Sequence, residues 1–388
     1  MKQASLSAMK SRRRNVPEDP QTIRRRSSRL SADELLSKMP TDLVIEIFSR
    51  LPLKSIAISE SPNGLSITNC VSKRWASALG RSDFMELFLT KSLAQPQLLF
   101  ACQKESELIF LSSPQPKNPD EAVSDHHMSF PFERVDAVSS SVNGYVCITD
   151  ERISKGRKTP EDVLVICNPS TGQSVTLPKI PKMKKMKRTA KSFFLYDPIE
   201  KQHKVLAMAM VDGRDVHQVL TLKGTRNLTW RMIECSVPHY YPGPKCICID
   251  GVLYYGAWGS NNGHILVCFD VRSEKYSSIK AIQGAVEEGA TLVNYKGKLA
   301  SLRAQPNPHA ISGTSASFEM WILEDPEKHE WSSRIYKLPP VWKDVVAGEV
   351  LFFKGVTATN ENFFVPHNFI RSLLCLLLQF RQGKYNKS

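Results

Sequence analysis

At 388 residues the chain is long enough for two or three domains, and its 41% hydrophobic and 23% charged content is that of an ordinary globular protein. No apolar run reaches the ~20 residues of a membrane-spanning helix, and no leader-like run opens the chain, so neither a membrane nor a secretory route is expected. The net charge of +14 is concentrated: Met1–Leu30 carries nine Lys and Arg against Glu18 and Asp19, and Lys179–Lys191 carries seven more without an acid.

Neither basic run interleaves aromatics, which argues against nucleic acid as the partner. The nine cysteines include no CxxC pair and read as reduced thiols in an intracellular protein. Cys246 and Cys248 share one face of a predicted strand, where two small core residues are a better reading than metal ligands. No metal or other cofactor is expected.

Residues 1–38 are basic, Ser-rich and without periodicity, the signature of a disordered tail. Arg12–Arg14 and Arg24–Arg26 fit nuclear-import clusters and a plain solvated tail alike, so the expected location is nucleus, cytoplasm or both. Met39–Lys54 then reads MPTDLVIEIFSRLPLK. On a helix, Leu43, Val44, Ile45, Ile47, Phe48 and Leu51 cover roughly 200°, about twice the stripe that one core requires. The surplus predicts a second apolar partner. Pro40-Thr41-Asp42 is a good helix entry, and Leu51-Pro52 a good exit. Lys54–Ala57 and Cys70–Leu79 read as two further short helices, with Val71, Trp75 and Leu79 on one face. The unit Met39–Phe84 is too small to bury much by itself.

These residues resemble the F-box, a small three-helix module that docks on the Skp adaptor of a cullin–RING ubiquitin ligase. The pattern is carried by Met39-Pro40-Thr41-Asp42-Leu43, Ile47-Phe48, Leu51-Pro52 and Val71-Ser72-Lys73-Arg74-Trp75. The resemblance implies an adaptor surface built from Pro40, Leu43, Ile47, Leu51, Pro52, Val71 and Trp75. One departure is the stretch Ile58–Asn69, twelve residues where the family has about three. Its Ser61-Pro62-Asn63-Gly64 is turn chemistry, so a loop separates the second and third helices. Residues 85–96 read as a connecting helix.

From Gln97 the apolar period changes from about 3.6 to 2. Strands are expected at Leu98–Ala101, Val146–Ile148, Val163–Asn168, Phe193–Tyr196, Lys204–Met210 and Val219–Leu222, the last pairing with Trp230–Ile233. Lys104–Phe132 reads as irregular. Asn143-Gly144, Asp250-Gly251 and Lys296-Gly297 mark tight turns. Further strand pairs are Ile265–Asp270 with Tyr276–Ile279, and Phe318–Leu323 with Trp331–Tyr336. Like units recur at about 40–50 residues, the spacing of a β-propeller; a β-sandwich of about 100 residues is the runner-up.

The phrases CNPSTGQ, YDPIEKQHKVL, HQVLTL, IDGVLYY, CFDVRSEK, NYKGKLA and MWILED resemble the plant F-box-associated domain, which implies a kelch-like propeller. The expected architecture is thus α plus all-β: a tail at 1–38, the F-box at 39–84, a connecting helix at 85–96 and the propeller-like domain at 97–357. From 358 to 388 alternation is lost and Leu373–Leu378 is continuously apolar. That text predicts an atypical tail, a missing terminal hairpin and an incompletely closed ring, with the apolar run exposed or packed as a helix over the gap.

No nucleophile elbow or HExxH is present, and Gly284–Gly289 lacks the Lys-Ser/Thr of a phosphate loop. Adjacent His126 and His127 cannot share a metal from a strand. Trp258, in the Gly- and Asn-rich stretch Gly256–Gly263, which reads as a loop, is either an exposed contact for a substrate protein or a capped core residue. The leading expectation is a non-catalytic substrate receptor: the F-box holds the adaptor, and the β-domain holds an unidentified protein target. A propeller enzyme and a basic-tail nucleic-acid binder are the alternatives.

Overall fold

Along Val252–Gly259, VLYYGAWG, every second residue is buried and the others are half-buried. Leu253, Tyr255 and Ala257 face inward with 0–3% exposure. This period of two extends across the chain from Gln97. A computed structural model describes residues 97–114, 125–132, 134–153, 161–170, 172–181, 189–211, 214–223, 228–240, 243, 245–260, 263–282, 284–286, 289–338, 342–346, 348–356, 362–366 and 376–378, with Pro40, Asp42, Leu43, Glu46 and Thr90 before them.

These residues hold six antiparallel sheets, succeeding one another in chain order. The first joins β1 (Gln97–Lys104), β2 (Glu107–Pro114) and β3 (Asp125–Pro131). The second joins β4 (Val135–Val138), β5 (Val146–Arg152), β6 (Glu161–Asn168) and β7 (Gln173–Thr176). The third holds β8 (Thr189–Asp197), β9 (Gln202–Val211), β10 (Arg214–Leu222) and β11 (Trp230–Ile233). In the fourth, β14 (Val252–Gly259) pairs on one side with both β12 (His239–Tyr240) and β13 (Cys246–Ile249); β15 (His264–Asp270) and β16 (Tyr276–Lys280) follow. The fifth holds β17 (Thr291–Tyr295), β18 (Lys298–Gln305), β19 (Ser317–Asp325) and β20 (Glu330–Lys337). After the short helix α1 (Trp342–Val346), the sixth joins β21 (Leu351–Val356), β22 (Asn362–Pro366) and β23 (Leu376–Leu378).

The turn chemistry is what the sequence demands. Asn143-Gly144, Asp250-Gly251 and Lys296-Gly297 all have positive φ at both residues, 47–54° then 78–81°. This is the two-residue turn whose twist matches that of the flanking strands. A methyl group at Gly251 would also lie 2.9 Å from Cδ of Pro198.

Each core cluster joins one sheet to the next. Leu108, Phe110 and Phe130 of the first pack with Val146, Ile148 and Val165 of the second. Cys147, Leu164 and Ile166 meet Phe194, Val205 and Leu220 of the third. Phe193 and Leu206 meet Leu253, Tyr255 and Phe269 of the fourth, whose Ile249 and Leu266 meet Leu292 and Leu299 of the fifth. Leu302, Phe318 and Met320 close on Trp342, Leu351 and Phe353. Sheets that pack face to face in succession define a propeller; in a sandwich, two sheets share one core. Each fully buried large apolar side chain contributes about 1.5–3 kcal/mol, so each such interface is worth many times a surface contact.

Three expectations are corrected. Lys104–Phe132 is not irregular: it carries β2 and β3. Leu108, Phe110 and Ser112 alternate inward along β2, and Phe110 meets Phe130 edge-on at 5.9 Å. Trp258 is not in a loop but in β14, where Gly256 and Gly259 continue the strand. The strand pattern does not stop at Thr357: β22 pairs with β21, and Leu376–Leu378 pairs with Asn362–Phe364 as a strand and not as a helix. A short continuously apolar run is compatible with a strand as well as with a helix, so the pattern alone does not separate the two. The tail 1–38, the stretch Ile58–Asn69 and most of the F-box lie outside the described residues.

Candidate functional site

Of the seven residues expected to meet an adaptor, Pro40 and Leu43 are described. Pro40 is exposed; Asp42, Leu43 and Glu46 are helical, as the entry signal predicts. Leu43 is 53% exposed, an apolar side chain without cover among the described residues. Ile47, Leu51, Pro52, Val71 and Trp75 lie outside the described residues.

Among the described residues, a coupled polar group is buried between the third and fourth sheets. The His217 Nδ1 and Tyr276 hydroxyl lie 2.6 Å apart, and the His239 Nε2 and Tyr255 hydroxyl 2.8 Å apart. The His217 and His239 rings meet edge to face at 5.6 Å. Burial, with the neighbouring His239 adding to it, lowers the His217 pKa to about 4, and burial pushes Tyr276 up. Buried together, these side chains join two sheets.

The surface offers a different arrangement. Lys191, near the start of β8, donates through Nζ to the Gly243 carbonyl, just ahead of β13. Lys245 donates to the Gly289 carbonyl at 2.7 Å and to the Thr291 hydroxyl at 2.9 Å, at the start of β17. Edge strand β17 lies against edge strands β13 and β21, and Ile311, beyond the end of β18, bridges to Leu351 at the start of β21. Strands β8, β13, β17 and β21 therefore begin at one rim. Burial, then the like charge of Lys354 on β21, lowers the Lys245 pKa to about 8; burial lowers Lys191 too.

Trp258 stands near the end of β14, cross-strand from Tyr240 and from His264, whose ring lies 4.0 Å from the indole. Because β14 runs antiparallel to β13, this aromatic group belongs to the same rim. The half-buried Cys246 and Cys248 pack against the apolar cluster of the third and fourth sheets. Burial raises both thiols, Cys248 to about 11, which disfavours the thiolate that a metal needs. Lys245 and Lys354 were missed in the sequence, where nothing links them; the ring order brings them together.

A propeller carrying an F-box motif ahead of its first strand defines a class of modular protein. Residues 97–386 match the family described as the F-box associated beta propeller domain, and residues 36–87 match the F-box domain. The chain belongs to the F-box family with an associated β-propeller. It is 51% identical over 365 residues to the F-box protein DOR of Arabidopsis thaliana, covering 92% of this chain and 88% of that one. It is 46% identical over 359 residues to the putative F-box protein At3g23960 of the same plant, covering 89% and 86%. The F-box protein At5g65850, also of Arabidopsis thaliana, is 45% identical over 368 residues, covering 92% and 87%. The propeller match runs past Thr357 to residue 386, in agreement with β22 and β23.

Proposed function

We propose that this chain is the substrate-recognition subunit of a Skp–cullin–F-box ubiquitin ligase and has no catalytic group of its own. The F-box docks the Skp adaptor through Pro40, Leu43, Ile47, Leu51, Pro52, Val71 and Trp75. The propeller holds a target protein close to the charged conjugating enzyme. Its contribution to rate is proximity, which converts an encounter between two large molecules into an effectively intramolecular step. The observation that supports this most strongly is the succession in one chain of an F-box match and an F-box-associated propeller match. Leu43, helical and largely uncovered, is consistent with a missing partner. The test is capture: the full chain should retain the Skp adaptor and a cullin, and a chain lacking residues 39–84 should retain neither. Equal retention by both would overturn the reading. Trp258, half-buried at the lysine-bearing rim, is proposed as a target contact, to be read as weaker target capture by Trp258→Ala at unchanged melting. The Arg triplets of residues 1–38 are proposed to direct nuclear entry, which a tail-less chain of unchanged location would refute.

A further inference from the structure

Three lysines stand at one rim, Lys191 on β8, Lys245 just ahead of β13 and Lys354 on β21. The Nζ atoms of Lys191 and Lys245 are anchored by Gly243, Gly289 and Thr291, and Lys354 stands exposed, near enough to Lys245 for the two charges to repel. Among the described residues no carboxylate pairs with any of them. Elsewhere in the same domain half-buried or buried cations do find acids: Lys204 meets Glu274 at 2.9 Å and Arg152 meets Asp150 at 2.6 Å. An ammonium has three donors; Lys245 spends two on the protein and keeps one. Withdrawing Lys191 and Lys245 from water, and holding Lys245 near a like charge, is costly. An anion entering the rim would offset that cost, and the fixed lysines would need no rearrangement to meet it.

We propose that Lys191, Lys245 and Lys354 form an oxyanion-binding site at the propeller rim, which takes a carboxylate or phosphoryl group carried by the target polypeptide. The proposal deepens the receptor reading and rests on it for the nature of the ligand. Duplex or single-stranded nucleic acid presents charge along a length and is met by cations spread along a face. Here the cations are gathered at one end of the sheets and not strung along a face, which suits a single anionic group or a short acidic segment.

The test uses the purified full chain and fluorescent peptides with identical neutral flanks: one with a central run of Glu, one with a central phosphoserine, and one with plain serine. An oligonucleotide of equal charge is the fourth probe. The combined Lys191→Met, Lys245→Gln, Lys354→Ala variant should lose about tenfold or more in affinity for the Glu or the phosphoserine peptide, a factor that corresponds to ~1.4 kcal/mol. Whichever peptide binds tighter identifies the source of the oxyanion. Lys328→Ala removes an exposed lysine at the opposite end of the sheets, in the β19–β20 turn, and should change affinity by less than about twofold. If the combined variant melts early, Lys354→Glu replaces it, because that side chain is exposed and should reverse the local charge without unfolding.

Equal binding of all three peptides, an unaffected combined variant, equal loss in Lys328→Ala, or tighter, lysine-dependent binding of the oligonucleotide would each overturn the proposal. Adaptor capture by the combined variant should remain that of the unaltered chain. Failure of the unaltered chain to capture adaptor would remove the receptor reading while the peptide result still decides the oxyanion site.

Discussion

His217 on β10 and Tyr276 on β16 share a hydrogen bond of 2.6 Å that crosses from the third sheet to the fourth, with His239 and Tyr255 beside it. The fold accepts His217 only as neutral imidazole, because burial lowers its pKa from 6.5 to about 4. Burial lowers His203 on β9 to about 4 as well. A depressed histidine pKa means that the unfolded chain binds protons first. The stabilisation is therefore complete above pH 6.5 and is lost as pH falls from 6.5 toward about 4. His217 alone should account for about 3 kcal/mol of that loss. Melting followed over this range should show a steep fall, and His217→Gln should flatten it. A melting point that does not change with pH would contradict the buried neutral pair.

Lys204 on β9 is 5% exposed and is held by the Val271 carbonyl at 2.8 Å and by Glu274 at 2.9 Å. Arg231 pairs with the same carboxylate from a half-exposed position. Glu274→Ala should destabilise by about 3–5 kcal/mol, since it leaves a buried ammonium with no counter-charge. Arg231→Ala should cost no more than about 1 kcal/mol, because solvent screens that cation. Denaturant unfolding of the two variants separates them; equal losses would show that Lys204 finds water.

Much of this architecture was legible. Asp250-Gly251 and Lys296-Gly297 announce turns because only residues tolerant of positive φ serve there. The 40–50-residue spacing of like units is that of propeller blades. What stayed hidden follows from physics that is not local. Ser112 and Ser113 end β2 in buried positions, where small polar residues and Pro114 look like a loop. Gly256 and Gly259 read as loop residues, but both lie in β14, whose backbone hydrogen bonds to its neighbours hold them extended. The Leu373–Leu378 run carries no alternation, so only pairing reveals Leu376–Leu378 as a strand. The rim lysines come from strands far apart in sequence, and only the ring order brings them together.

The sixth sheet supplies a direct test of the C-terminus. Ending the chain after Thr357 would remove β22 and β23 and leave β21 with an open edge. The shortened protein should melt at lower temperature and aggregate more readily than the full chain. An equally stable and soluble product would show that residues 358–388 contribute nothing to the fold.

In the sequence, the stretch Ile58–Asn69 separates the segment that carries Leu43 from the one that carries Trp75. Doubling a loop costs only about 0.6 kcal/mol of closure entropy, so removal of about nine residues should leave melting nearly unchanged. Adaptor affinity should rise, because the Val71–Trp75 segment is then held nearer the first helix. Unchanged affinity would contradict the idea that the insertion weakens docking.

A receptor of this kind binds its Skp adaptor through the F-box, here through an apolar surface expected to centre on Leu43 and Trp75. Titration of purified adaptor onto the full chain and onto the Leu43→Ala, Trp75→Ala double variant measures it most directly. A central apolar or aromatic anchor commonly costs 2 kcal/mol or more when truncated, so the double variant should bind at least about thirtyfold more weakly, at an unchanged propeller melting point. Equal affinity of the two proteins for the adaptor, or no affinity in either, would contradict the account.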